Sequence, residues 1–187
     1  MNLQHVNVKI NVDGELGVST DKIIEAFHRW IQEQAFDELL VDVADYRHVP
    51  NGPGILAVGL EADYTLDQAD GRWGLRYNRK AALEGQNVDR ILQALRSAAQ
   101  ACRSLEQEFD GALKFRRDEF ELFINDRALA PNSPETFEAC KGDLEAFLEK
   151  IGGGSFVPSH QDDARRLFGV TVTPAKALDL DAIPAAT

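Results

Sequence analysis

Long apolar runs are missing from this sequence, which argues against a chain that crosses a membrane. No apolar run approaches the roughly 18 residues that a spanning helix needs, and the longest, residues 54–60, is typical of a buried strand. The first residues contain neither the basic segment nor the apolar segment of a secretory signal peptide. We therefore expect a cytoplasmic protein that has no membrane partner.

Cysteine is also scarce. The chain has two cysteines, Cys102 and Cys140, and each falls on an apolar helical stripe. Two thiols are too few for a small scaffold held by disulfides, and cysteine commonly acts as a small buried apolar side chain. Both residues are therefore predicted to be buried and reduced.

Basic residues are outnumbered by acidic ones. The chain of 187 residues has 20 Lys and Arg against 31 Asp and Glu, which gives a net charge of −11. Phosphate backbones and anionic lipid headgroups repel such a chain. The basic cluster at 114–117 is followed by acidic residues and is typical of a solvated hairpin. The sequence therefore predicts that the protein binds no nucleic acid.

The motifs of the common chemistries are absent as well. There is no GxxxxGK[ST] phosphate loop, no GxGxxG after a strand, no GxSxG, no HExxH and no CxxC. The four histidines are dispersed, and no acidic segment has the spacing of a calcium loop. We therefore expect neither a cofactor nor a metal, and the absences argue against P-loop nucleotide hydrolases and hydrolases with a nucleophile elbow.

What the sequence does contain is a regular alternation of helical and strand patterns. Apolar side chains spaced three or four residues apart predict three helices, at residues 20–36, 87–109 and 134–151. Each helix is followed by short runs typical of strands, which predicts an α+β fold. We expect a mostly antiparallel sheet of about seven short strands with the three helices on one face. Two ferredoxin-like units that share one sheet are an alternative arrangement of these elements.

Local patterns add detail to this sheet. Residues 5–12 alternate strictly between apolar and polar side chains, so we expect one face of this strand to be solvated. Residues 113–116 and 119–124 are predicted to form a tight hairpin. The acidic stretch 61–71 is predicted to be irregular.

No segment has the composition of a linker. We therefore predict a single α+β domain over residues 1–174. Residues 175–187 are mostly small and are expected to form a flexible C-terminal tail.

Residues that suit ligand binding are concentrated between positions 45 and 80. This segment holds all three tyrosines, one of the two tryptophans, a loop rich in Gly and Pro at 45–54, and a run of acidic and then basic residues. Tyrosine offers a flat surface with a hydroxyl, arginine offers a planar fork for a carboxylate or phosphate, and histidine transfers protons near neutral pH. The candidate ligand-binding residues are Tyr46, His48, Glu61, Asp63, Tyr64, Arg72, Tyr77 and Arg79.

These candidates do not all face one pocket. Strand alternation places Arg72 and Arg76 on one face of the sheet and Tyr77 on the other, so we expect at most half of the candidates to converge. The alternative interpretation is structural: the tyrosine rings pack on the sheet, and the arginines neutralise the acidic stretch.

Two functions from different classes remain open. The first is a cytoplasmic, non-catalytic binding or accessory protein that acts through a protein partner or by self-association as a homodimer. The second is a small enzyme or sensor that binds a small anionic metabolite with the 45–80 segment.

Overall fold

The fold is α+β, as predicted, with three helices and one eight-stranded sheet in a computed structural model that describes residues 1–50, 52–160 and 163–184. The strands are β1 (Val6–Asn11), β2 (Leu40–Asp45), β3 (Ile55–Gly59), β4 (Ala62–Asp67), β5 (Gly74–Arg79), β6 (Phe120–Ile124), β7 (Gly154–Pro158) and β8 (Phe168–Pro174). The helices are α1 (Thr20–Glu33), α2 (Asn87–Glu108) and α3 (Pro134–Lys150), and a short 3₁₀ turn spans Ala69–Gly71.

The strand order is β2-β3-β4-β5-β1-β6-β8-β7, so β1 lies inside the sheet and β2 and β7 form its edges. All seven pairings among the described residues are antiparallel. The sheet therefore lacks the parallel pair that lies at the centre of a ferredoxin-like unit. The helices pack on one face: α1 lies over β2 and β3, α2 over β1 and β5, and α3 beside α2 and β7.

Local capping chemistry fixes where the helices begin. The Ser19 side chain accepts a hydrogen bond from the Lys22 backbone N–H at the start of α1, and Ser133 does the same for Thr136 ahead of α3. At the start of α2 the N-cap position is held by Gln86, where the sequence pattern alone suggests Asn87. Asn87 instead binds the N-terminal segment, accepting a hydrogen bond from the Leu3 N–H at 2.8 Å.

The apolar face of β1 forms the centre of the core. Val8 pairs with Tyr77 on β5 and with Leu122 on β6, and all three side chains lie beneath α2 or α3 within one hydrophobic cluster. Full burial of each large apolar side chain contributes about 1.5–3 kcal/mol. Cys102 and Cys140 are free and buried in this core, as predicted, and burial raises the pKa of the Cys102 thiol well above its usual value.

The prediction that the polar face of β1 is solvated is wrong. Asn7, Lys9 and Asn11 are all buried. Side chains of neighbouring strands cover them: Lys9 contacts Asp67 at the end of β4, and Asn11 donates a hydrogen bond to Glu121 on β6. The helix-free face of the sheet therefore contains a second buried region, which is polar.

Two local predictions are also corrected. Residues 113–116 form no hairpin with β6; Phe115 instead bridges to Val12 beyond the end of β1, where its ring is buried. The stretch 61–71 is not irregular, because residues 62–67 form β4. Its acidic side chains obscured the alternation, since Asp63 and Asp67 lie on the helix-free face and pair with cations there.

The segment after residue 174 contributes to the core as far as it is described. Leu178 and Leu180 are buried, and the Leu178 N–H donates a hydrogen bond to the Arg117 carbonyl at 2.7 Å. Residues 185–187 of the predicted flexible tail lie outside the described residues.

None of the helices in the described part of the chain combines the length and the apolar character needed to cross a membrane.

Candidate functional site

A cavity of about 640 Å³ lies at the end of the sheet where β4 ends and β5 begins; we call it the end cavity. It is lined by Thr20, Tyr46, Arg47, Val49, Pro50, Gly52, Gly54, Gln68, Ala69, Asp70, Gly71, Trp73 and Arg166. The loop after β2 and the 3₁₀ turn after β4 thus meet around one cavity, because β2, β3, β4 and β5 are consecutive neighbours in the sheet.

The wall of the end cavity formed by the loop after β2 is held in place by hydrogen bonds. The Tyr46 N–H donates to the Gly54 carbonyl at 2.8 Å, and Gly54 has a positive φ at a point where a Cβ would collide with the Leu66 carbonyl oxygen. The Arg47 guanidinium binds Asp45 through two nitrogens and also contacts Asp21. The Arg47 hydrogen bonds lower the pKa of Asp45 to about 2. Arg47 is therefore already compensated by two carboxylates.

Aromatic surface is exposed at the mouth of the end cavity. Tyr46 is exposed and stacks on His48 with ring centroids 6.3 Å apart. Trp73 is partly buried and separates the end cavity from a second cavity of about 900 Å³. An aromatic ring at this position can pack against a planar ligand.

The second cavity contains three arginines, each paired with an acid. Arg72 binds Glu119 and Glu121, Arg116 binds Asp118, and Arg117 binds Glu106. This cavity therefore presents little positive charge to a ligand.

A third cavity, of about 210 Å³, opens on the helix-free face of the sheet; we call it the cationic pocket. It is lined by Lys9, Ala69, Asp70, Arg76, Glu121, Phe123, Arg127, His160, Arg165, Arg166 and Leu167. Ala69, Asp70 and Arg166 line both this pocket and the end cavity, so the two adjoin.

A buried ion network forms the floor of the cationic pocket. Lys9 is 2% exposed, and its Nζ lies 2.7 Å from Asp67 Oδ1. Arg76 Nη2 lies 2.8 Å from the other oxygen of the same carboxylate. One buried carboxylate thus faces two cations, and the Lys9 ammonium completes its hydrogen bonding with the carbonyls of Arg72 and Ala69.

The side of the pocket next to the end cavity is formed by Asp70, His160 and Arg166. Arg166 Nη2 lies 2.6 Å from Asp70 Oδ2 and 2.8 Å from His160 Nε2. Asp70 and His160 both adopt a positive φ, which is uncommon outside glycine. Burial raises the pKa of Asp70, but the hydrogen bond and charge of Arg166 outweigh burial, so the net pKa lies below its usual value.

The same residues include the one group with metal-ligand atoms found in the described part of the chain. Ligand atoms of Asp70, Glu121 and His160 lie within 4.8 Å of one another. However, the Arg166 guanidinium is bound to both Asp70 and His160, and Arg72 is bound to Glu121. These cations hold the ligand atoms, so the arrangement favours an ion-pair cluster over a metal site.

The structure brings together only part of the predicted site. Tyr46 lines the end cavity, His48 stacks on Tyr46, and Arg72 lines the second cavity on the far side of Trp73.

Three other candidates lie at the opposite end of the strands. Glu61 accepts a hydrogen bond from the Leu39 N–H, Asp63 pairs with Lys80 at 2.7 Å, and Arg79 donates to the Ala81 carbonyl. These contacts close the turns at that end of the sheet.

Tyr64 and Tyr77 lie inside the core beneath the helices. Their hydroxyls each donate a hydrogen bond to the buried Glu38 carboxylate at 2.8 Å. Ser97 also donates to Glu38. For these two tyrosines the structural interpretation fits better than the ligand-binding one.

Sequence reasoning missed most residues of the cationic pocket. The alternation of residues 5–12 predicts a solvated face for Lys9. Arg127, His160 and Arg166 follow strands far along the chain, and no residue spacing connects them. A lysine within a strictly alternating strand was the one indication of a buried charge in the sequence. A strand at the centre of a sheet has a neighbouring strand on each side, and their side chains can cover the lysine.

No protein-family model matches this chain, and comparisons with curated proteins and with solved structures also give no match.

Proposed function

We propose that this protein is a non-catalytic binding protein for a small anionic metabolite, which it holds in the end cavity. The observation that carries the proposal is the cavity itself. Its volume of about 640 Å³ lies within the usual range for small-molecule sites, and it combines two aromatic side chains with a bordering arginine cluster.

The titratable side chains around the cavity support a non-catalytic role, because arginines already bind them. Asp45 is bound by Arg47, and Asp70 and His160 are both bound by Arg166. Side chains engaged in this way orient a ligand more readily than they exchange protons with it.

Tryptophan fluorescence tests the proposal directly. Trp73 lines the end cavity, whereas Trp30 is buried and bonded to Ser104, so a ligand in the cavity changes the emission of Trp73 alone. We expect a screen of anionic metabolites to yield a saturable change that is lost in Trp73→Phe. The same ligand stabilises the protein by about 2.7 kcal/mol at 100 times its Kd. A screen without any fluorescence or thermal response contradicts the proposal.

We propose self-association as a second function, because the β2 edge carries exposed apolar side chains. Val41, on β2, is 50% exposed, and Leu39, directly before this strand, is 48% exposed. The opposite edge strand, β7, ends in Pro158, a residue that discourages strand pairing. Two-fold pairing through β2 is the simplest closed assembly of such a chain.

Light scattering tests the dimer. We expect twice the chain mass of 20.7 kDa at high concentration, and Val41→Lys is expected to restore the monomer. Val157→Lys places the same charge on the other edge and serves as the control. A monomeric wild-type protein contradicts this second proposal.

We also propose a cytoplasmic location, which is supported by two free cysteines that suit a reducing compartment. Fractionation of cells that express a tagged chain tests it, and recovery in an exported fraction contradicts it.

A further inference from the structure

The cationic pocket has more positive charge than its neighbouring acids compensate. Lys9 and Arg76 share the single carboxylate of Asp67, so one of these two charges has no counterpart. Arg127 has no hydrogen bond or ion pair with any residue that the structure describes.

The remaining charges around the pocket are paired. Arg165 binds Asp163, and Arg166 binds Asp70. Of the two carboxylates that line the pocket, Asp70 is therefore occupied by Arg166, and Glu121 is bound by Arg72. Because Arg72 also binds Glu119, it compensates Glu121 only in part. The described residues therefore leave about one positive charge of the pocket without an acid, in a chain whose net charge is −11.

Arg76 is held rigidly for binding an anion. Its guanidinium carbon lies 5.6 Å from the centre of the Phe123 ring, and Nη2 is fixed by Asp67. Its Nε is buried and has no hydrogen-bond partner among the described residues. The Arg76 side chain as a whole is 25% exposed and lines the pocket, so the guanidinium can meet an anion there through its exposed part.

Arg127 lies just after β6 at the rim of the same pocket, and its side chain is exposed. A cation with no partner in the described ranges of the chain is free to move onto an anion held by Arg76. The pair thus combines a fixed arginine with a mobile one.

The size of the pocket limits the ligand group. A volume of about 210 Å³ corresponds to about seven waters at ~30 Å³ each, which accommodates one tetrahedral oxoanion and few further atoms. A phosphate monoester carries about −1.5 to −2 charges at pH 7 and three acceptor oxygens, so it can accept hydrogen bonds from Arg76 and Arg127 at once. A carboxylate carries a single negative charge and two acceptor oxygens, so it engages fewer donors.

We infer that the cationic pocket binds the phosphoryl group of a ligand, with Arg76 and Arg127 as the residues that contact it. The inference deepens the proposed function and rests on it, since the pocket adjoins the end cavity and would take the charged end of the same metabolite. The ligand class is then a phosphorylated small molecule.

Isothermal titration with inorganic phosphate, sulfate and acetate at equal ionic strength tests the inference. We expect saturable binding of both dianions, with acetate weaker by at least tenfold. Arg127→Gln is expected to weaken phosphate binding about tenfold, the typical effect of one lost charged hydrogen bond. Arg127 has no partner among the described residues, so this variant is expected to leave folding intact.

Arg116→Gln is the matched control, because it removes one positive charge from the second cavity, where Asp118 already compensates it. We expect this variant to bind phosphate within twofold of the wild type. Equal losses in the two variants, or acetate binding as tight as phosphate binding, overturn the inference.

Failure of the inference is distinguishable from failure of the proposed function. If a neutral or carboxylate metabolite changes Trp73 emission while phosphate and sulfate do not bind, the end cavity binds a ligand and the phosphoryl assignment is wrong. If no metabolite changes Trp73 emission, the proposed function is wrong, and retained dianion binding that depends on Arg127 supports the pocket alone.

Discussion

Two buried carboxylates on opposite faces of the sheet are stabilised in different ways. Glu38, under the helices and 8% exposed, accepts hydrogen bonds from the hydroxyls of Tyr64, Tyr77 and Ser97. Asp67, on the helix-free face, is bound by Lys9 and Arg76. Neutral hydroxyl donors satisfy the Glu38 carboxylate, whereas two cations surround the Asp67 carboxylate.

The difference separates a structural cluster from a candidate binding site. The hydroxyl donors of the Glu38 cluster are all directed at one carboxylate, and the cavity of about 150 Å³ that Glu38 lines contains no arginine or lysine among the described residues. The Asp67 network forms the floor of an open pocket and leaves one guanidinium nitrogen unsatisfied. We expect substitutions in the first cluster to change stability alone, and substitutions in the second to change anion binding as well.

Removal of the Glu38 carboxylate is expected to have the largest effect on stability. Glu38→Ala leaves three buried hydroxyls without their acceptor, at about 1–3 kcal/mol for each unsatisfied group. We expect a total loss of about 4 kcal/mol in the free energy of unfolding, measured by urea denaturation. Glu25→Ala, on the exposed side of α1, is the control and is expected to lie within about 0.5 kcal/mol of wild type. An equally small effect of Glu38→Ala contradicts the structural role.

Substitution of Lys9 is expected to affect both stability and binding. Lys9→Met leaves Asp67 with Arg76 as its one cation and is expected to cost about 3 kcal/mol, as for a broken buried ion pair. The substitution also removes one positive charge from the floor of the cationic pocket. We therefore expect a lower affinity for phosphate, measured under conditions in which the variant is folded. Lys22→Met on the exposed surface of α1 changes the net charge equally and is expected to alter neither property. Unchanged phosphate affinity in Lys9→Met would show that the network of Lys9, Asp67 and Arg76 plays no part in anion binding, which contradicts the account.

The Tyr77 hydroxyl is expected to contribute to the free energy of unfolding at neutral pH, and this contribution is lost at alkaline pH. Burial, followed by the nearby charge of Glu38, raises the pKa of Tyr77 to about 12, above the value of about 10 in an unfolded chain. The contribution is therefore complete below pH 10 and is lost as the pH rises towards 12, by about 2 kcal/mol. Tyr77→Phe removes the Tyr77 part of this dependence, leaves the part due to Tyr64, whose pKa is also raised by burial, and costs about 2 kcal/mol at neutral pH.

Urea denaturation at pH 8 and pH 11 measures this dependence, with Tyr46→Phe at the exposed position as the control. An alkaline slope that is the same in wild type and Tyr77→Phe would show that the hydroxyl is not held by Glu38 in solution.

Asp70 is expected to have the smallest effect, at acidic pH. Its pKa lies below the ordinary value of 3.8, because Arg166 outweighs burial. Its contribution is therefore present above about pH 4 and is lost as the pH falls through the lowered pKa. The side chain is 37% exposed, so solvent screening limits the effect to about 0.5–1 kcal/mol.

The corresponding experiment compares unfolding free energies at pH 7 and pH 3. Asp70→Asn is expected to lose less stability than wild type over this range, and Asp110→Asn, at another positive-φ position, is expected to behave like wild type. A stability gain of wild type on acidification contradicts the assignment.

The sequence predicted the architecture better than the site, for physical reasons. Apolar periodicity is a local property, so it revealed α1, α2, α3 and most strands. Acidic side chains hid β4, because their compensating cations come from other strands. Tyr64 and Tyr77 seemed suited to a ligand because no local pattern shows that Glu38, far earlier in the chain, accepts their hydrogen bonds.

Only the part of the candidate site that is formed by segments close together in the sequence was predictable. The meeting of the loop after β2 with the turn after β4 follows from consecutive strands, and Tyr46 lies there as expected. The cationic pocket depends on β1, β6 and the segment after β7 lying side by side. The spacing of residues in a single sequence does not reveal which distant strands pair.

Backbone chemical-shift mapping during a phosphate titration tests the central claim most directly, because it reports on both faces of the sheet at once. We predict that the largest shifts occur at residues 69–71, Arg76, Phe123 and Arg127, with no change around Glu38. Shifts that are largest at residues 115–118, or are spread evenly over surface cations, would contradict the account.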